Sequence, residues 1–199
     1  VLRDVARLDD PKSAMAFQIS ATLLVGLTCV MLVSAFRRLL MYETAYGFTE
    51  LRIYVHTFMV WLGLLLAWFG LTLWRRSTSF GIGLIVAVLG FVLTLNVLNP
   101  DALIVQQNAR RYQGLLPRVS SEYVEERIDV NYLTGLSDDA VPALIELANT
   151  STGEVRDVLE KDLRARLSAR KQTQEWRTWQ AYHLSRSTAF KLLSVYLGE

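Results

Sequence analysis

The chain has 199 residues, of which 52% are hydrophobic and 20% charged, with a formal net charge of +2. That balance holds more apolar surface than one soluble core needs, and it lacks the basic stripe of a nucleic-acid binder. The single Cys29 excludes a disulfide-stapled fold.

Charge is unevenly spread. Residues 1–100 carry 8 Lys/Arg and 5 Asp/Glu, and the remainder carries 13 and 14. A hydrophobic half is therefore joined to a charged half. The pattern predicts an all-α membrane protein with three transmembrane helices and a small helical extramembrane tail. The expected division is a membrane region over 1–98 and a helical polar tail over 99–199.

The three apolar stretches run over about 15–36, 54–74 and 80–98, and none contains Asp, Glu, Lys or Arg. Each reaches the roughly 20 residues that a hydrocarbon core requires. The runs are continuous rather than alternating, which excludes membrane strands. Asp4, Asp9 and Asp10 before the first stretch, and its length, argue against a signal peptide. The chain begins with Val1, so a trimmed or longer parent chain is expected.

Small residues recur with identical spacing at Gly63, Ala67 and Gly70, and at Gly83, Ala87 and Gly90. The short link from Arg75 to Ser79 makes the second and third helices antiparallel neighbours. Folding back about residues 76–77 sets Gly63 level with Gly90 and Gly70 level with Gly83. Matched small residues let helix backbones approach in lipid, so a packed hairpin is expected. Arg3, Arg7, Lys12, Arg75 and Arg76 on one side balance Arg37, Arg38, Arg52, Arg110 and Arg111 on the other, which gives no orientation.

Three spans place the loop from Arg37 to Arg52 on the same face as the tail. Glu43 and Glu50 are expected to pair with Arg110 or Arg111, and Arg52 with Asp101. This polar cluster reads either as a structural ion-pair seat for the tail or as a ligand or ion site. Pro100 ends the third helix, and Asp101 is the expected cap of the next.

Further on, Asp138 or Asp139 is placed to cap a helix carrying Val141, Leu144, Ile145 and Ala148. Ser151 with Glu154 has the form of a capping box. It would open a helix with Val155, Val158, Leu159, Leu163 and Leu167 on one face, supported by Asp157–Lys161 and Glu160–Arg164 pairs. A last amphipathic segment contains Trp176, Trp179, His183, Phe190, Leu193 and Leu197.

No phosphate loop, dinucleotide fingerprint, zinc helix or nucleophile elbow occurs, so no catalytic or metal-binding residue and no cofactor is assigned. His56, just inside the second span near Trp61 and Trp68, is the one candidate haem or pigment ligand. Against that stands an interfacial or helix-packing role.

Several blocks carry a family resemblance. They are Ser34-Ala35-Phe36-Arg37-Arg38-Leu39-Leu40-Met41-Tyr42, Ala45-Tyr46-Gly47-Phe48-Thr49 with Leu51-Arg52, and Asn99-Pro100-Asp101-Ala102-Leu103-Ile104 with Asn108 and Arg111. Tyr132-Leu133, the run from Leu136 to Leu144, and Trp176-Arg177 with Trp179 follow in order. From Ser34 onward the chain resembles the C-terminal part of a bacterial multi-pass membrane family, the domain of unknown function four-one-seven-three. The resemblance implies no established activity, and it implies further helices upstream in longer members. A fragment or split subunit is the corresponding expectation.

The function expected is a non-catalytic membrane subunit or scaffold, embedded in the bilayer of a bacterial inner membrane beside other subunits, with no nucleic-acid partner. The alternatives are a transporter or sensor fragment working through the polar cluster, and a pigment- or haem-binding subunit.

Overall fold

The computed structural model describes residues 11–75, 80–115, 128–172 and 184–198. Among the described residues the ordered elements are all helical. Three are long and apolar: α1 (Pro11–Tyr46), α2 (Glu50–Arg75) and α3 (Phe80–Leu98). The others are α4 (Pro100–Tyr112), α5 (Val130–Thr134), α6 (Val141–Thr150), α7 (Glu154–Gln172) and α8 (Leu184–Leu197), with a 3-10 turn at Asp138–Ala140. The chain forms two compact units, Val1–Glu43 with Leu51–Val97, and Thr44–Glu50 with Leu98–Glu199. The short segment between α1 and α2 thus belongs with the polar half.

In the first unit, α1, α2 and α3 are each long and apolar enough to cross a membrane. α1 runs ten residues beyond the expected end at Phe36, because no Gly or Pro interrupts the chain between Phe36 and Gly47, whose φ is +83°. Its 36 residues extend about 54 Å at 1.5 Å each, well past a hydrocarbon core of about 30 Å. Arg37, Arg38 and Glu43 are therefore helical, not part of a loop. Large apolar side chains such as Leu24, Met31, Leu71, Ile85 and Leu93 point outward and are more than half exposed. Exposure of this kind is stable only against lipid or another apolar surface.

Polar groups within these helices are turned inward or back onto the backbone. Gln18 Nε2 donates to Leu73 O at 3.1 Å, tying α1 to α2. Thr22, Thr28 and Thr57 donate to carbonyls four residues earlier.

The α2–α3 contact differs from the expected meeting of small residues. A Cβ on Gly90 would lie 2.0 Å from the Trp61 ring, and one on Gly83 would lie 2.1 Å from the Trp68 ring. Gly63 instead faces Leu32 of α1 at 3.5 Å, and a Cβ on Gly70 would meet nothing within 4 Å. The glycines of α3 are sockets for the indoles of α2, which reach across where a second glycine cannot. Ala87 is buried between the two sockets in sequence, while Ala67 is exposed. Trp61 Nε1 also donates to Thr94 Oγ1 at 3.0 Å, and Thr94 Oγ1 donates to Gly90 O at 2.7 Å. Edge-to-face pairs Phe58–Phe91 and Phe69–Phe80 extend the contact towards both ends of α3.

The second unit has a conventional apolar core. Ile104 and Val105 of α4 are fully buried, with Leu133, Leu144, Leu147, Leu159, Leu163, Leu167 and Leu193. Val141 and Ala148 of α6 are buried as their spacing predicts, with Ile145 partly so. Pro100 and Pro142 occupy first-turn positions, where a missing N–H costs little.

Three caps differ from expectation. Asn99, at φ 46°, caps α4 by accepting from Ala102 N, so Asp101 is left inside the first turn. Ser137 caps the 3-10 turn that leads into α6, and Asp138 serves an ion-pair network instead. Ser151 is buried with its hydroxyl unpartnered among the described residues, so it closes no capping box. On α7, Glu160 contacts both Arg156 at 2.7 Å and Arg164 at 3.8 Å.

Arg166 of α7 organises the centre of this unit. Its Nη2 donates to Thr134 O at 2.6 Å and to Leu136 O at 2.9 Å, and its Nε donates to Asp162 at 2.7 Å. Asp138 lies 3.5 Å from Arg166 and 3.1 Å from Arg170. These bonds satisfy the carbonyls that end α5, which is too short to persist alone. Trp176, Trp179 and His183 lie outside the described residues, as does residue 76.

Candidate functional site

The six residues of the expected polar cluster fall into both units. Glu43 and Arg52 belong to the first, and Glu50, Asp101, Arg110 and Arg111 to the second. Within each unit, several of these side chains have partners of other kinds. Glu43 is 2% exposed, and its Oε1 lies 2.8 Å from Nδ1 of His56. That contact joins α1 to α2, and Phe36 stacks edge-on against the imidazole at 4.6 Å. Glu43 lies one turn before the end of α1 and meets α2. His56 Nε2 is buried without a partner among the described residues.

Asp101 accepts from both the backbone N–H and the hydroxyl of Ser137, and so holds α4 to the turn before α6. Arg111 Nη2 donates to Ala45 O at 2.7 Å, a backbone partner. Arg110, on the same turn of α4, is exposed. Glu50 enters through its backbone, with its N–H donating to Tyr132 Oη at 3.0 Å.

The residue that assembles this region is Asn108, which follows the third apolar helix together with Arg110 and Arg111. Its Nδ2 donates to Phe48 O at 2.8 Å and to Ile104 O at 3.0 Å, and its Oδ1 accepts from Phe48 N at 3.0 Å. The amide thus pairs with Phe48 as a neighbouring strand would, fixing the segment between α1 and α2 on α4. Gly47 is required beneath it. A Cβ there would lie 2.5 Å from Asn108 Oδ1, and the backbone is left-handed at φ +83°. Glycine directly after a long helical run, followed by an aromatic residue, was the available signal.

Beside this clamp lies a cavity of about 180 Å³. Phe48, Tyr112, Tyr132 and Leu133 form apolar walls, Tyr46 stands at the rim, and Arg111 and Asp129 bring opposite charges. Asp129 also accepts from Tyr132 N at 2.9 Å as the cap of α5. Among the described residues no group of three or more His, Cys, Asp or Glu side chains converges as a metal site would need.

Among curated proteins no relative matches the chain, and among solved structures none matches either. The sequence does match a family, described as Domain of unknown function (DUF4153), over residues 1–147. The match is to a domain of unknown function, as the resemblance implies, under the number 4153 where the sequence reading has four-one-seven-three. It begins ahead of Ser34, takes in all three apolar helices and the Asn108–Gly47 clamp, and ends within α6. With about three quarters of its length inside that match, the chain belongs to the DUF4153 family.

Proposed function

We propose that the chain is a non-catalytic integral membrane subunit or scaffold of a larger assembly, in the inner membrane of a bacterium. One observation carries this reading. Gly26 on α1 and Gly70 on α2 have nothing within 4 Å of the position a side chain would take, and Ala67 beside Gly70 is exposed. Gly83 and Gly90 are used up inside the hairpin, whereas Gly26 and Gly70 are open to a helix from another chain. The outward apolar side chains around them supply the packing surface for lipid and for such a helix.

The test is native extraction in mild detergent, followed by mass determination. The expected result is a particle well above the 22.6 kDa chain plus its micelle, with other subunits present. Gly70→Leu and Gly26→Leu should release those subunits while leaving the helical content unchanged. A lone chain that is insensitive to both substitutions would remove the scaffold reading.

A further inference from the structure

We propose that the cavity between α4, α5 and the α1–α2 segment binds a small zwitterion with an apolar side chain, of the size and chemistry of a free amino acid. This goes beyond a scaffold role. Its basis is that Arg111 and Asp129 line the same cavity, yet neither forms an ion pair with the other or with any other described residue. Arg111 uses one of five N–H donors on Ala45 O, and Asp129 uses one oxygen on Tyr132 N. Half-buried Arg111 and exposed Asp129 bring opposite charges to the lining of one small cavity, which is complementary to a molecule that carries both.

The rest of the lining selects among such molecules. Phe48, Tyr112, Tyr132 and Leu133 suit an apolar side chain, and the tyrosine faces add to the attraction for an ammonium. The guanidinium matches a carboxylate with two parallel donors. A volume of about 180 Å³ is below the roughly 300–1,000 Å³ of pockets for drug-sized ligands, which limits the occupant to about ten heavy atoms. A free phosphate or a lipid headgroup phosphate would leave Asp129 facing an anion, so neither fits the lining as well.

Binding would be read at once by the chain. Arg111 and Asn108 lie one turn apart on α4 and hold Ala45 and Phe48, so a ligand on Arg111 bears on the segment that joins α1 to α2.

The test is calorimetric titration of the full chain in detergent with L-valine, L-leucine, L-methionine and L-phenylalanine. At least one should bind saturably. For L-leucine, the matched controls are leucinamide, which lacks the carboxylate, and 4-methylpentanoate, which lacks the ammonium. Both should bind at least tenfold more weakly. Asp129→Asn retains an oxygen for Tyr132 N, so the α5 cap persists. It should weaken the zwitterion at least tenfold and leave 4-methylpentanoate unchanged. Arg111→Lys keeps a donor for Ala45 O and should weaken binding through loss of the paired donors. Circular dichroism melting confirms that each variant is folded. No binding by any of the four amino acids overturns the proposal. So does equal binding of 4-methylpentanoate, or an unaltered affinity in folded Asp129→Asn. Preferential binding of inorganic phosphate or of phosphatidylglycerol vesicles would overturn it in favour of an anion site.

Discussion

Trp61 of α2 and Gly90 of α3 share one volume: the indole fills the place where a side chain on residue 90 would stand, 2.0 Å from its Cβ position. Trp68 and Gly83 repeat the arrangement seven residues away on each helix, in the antiparallel sense. Such overlap predicts that Gly90→Ala and Gly83→Ala each destabilise the hairpin by about 1–3 kcal/mol, as overpacking does. Gly70→Ala, which meets open space, should be neutral or stabilising by up to about 1 kcal/mol. Denaturation in detergent micelles distinguishes the sites. Equal effects at residues 70 and 90 would remove the socket.

The indole N–H of Trp61 adds a directional bond to Thr94, whose own hydroxyl is spent on Gly90 O. A double-mutant cycle of Trp61→Phe and Thr94→Val should give a coupling of about 0.5–1.5 kcal/mol, the range for hydrogen bonds between membrane helices. A coupling indistinguishable from zero would mean that the bond contributes nothing beyond packing.

Glu43 and His56 make a buried polar contact between α1 and α2. Removing one partner strands the other, so Glu43→Leu or His56→Leu alone should cost about 3 kcal/mol. The double substitution should recover much of that loss, because two apolar side chains can pack where two polar ones paired. Additive losses in the double variant would show that the two residues act independently.

Asn108 makes three hydrogen bonds, two of them to the backbone of Phe48. Asn108→Ala leaves those backbone groups without their partner and should cost about 2 kcal/mol. Gly47→Ala should also destabilise, from the left-handed backbone and the clash with Asn108 together. Hydrogen exchange at the Phe48 amide reports both. Protection retained in Asn108→Ala would contradict the clamp.

Arg166 and Glu160 test the polar half. Arg166, partly buried, serves two carbonyls and two carboxylates, and Arg166→Leu should lower stability by about 2–3 kcal/mol. Glu160 makes only surface pairs with neighbours one turn away, so Glu160→Ala should change stability by under about 0.5 kcal/mol. Thermal melts of the two variants should separate clearly.

The sequence by itself determined the helical class, the three apolar helices and much of the buried face of α6 and α7. Each follows from hydrophobic runs or from a 3.6-residue period, which are local properties of the chain. It also brought Gly83 and Gly90 to notice, since their spacing is visible without a partner. What they pack against was not visible. Glycine spacing alone is compatible with a glycine or an indole opposite, and the register between helices decides which. The same holds at the polar cluster. Glu43, Arg111 and Asp101 were legible as charges, but their partners proved to be His56, a backbone carbonyl and Ser137. Opposite charge predicts attraction without direction, and helix phase decides what a side chain reaches. Only the tertiary structure, by continuing α1 through Glu43 and folding Phe48 onto Asn108, brought Arg111 and Asp129 to one cavity.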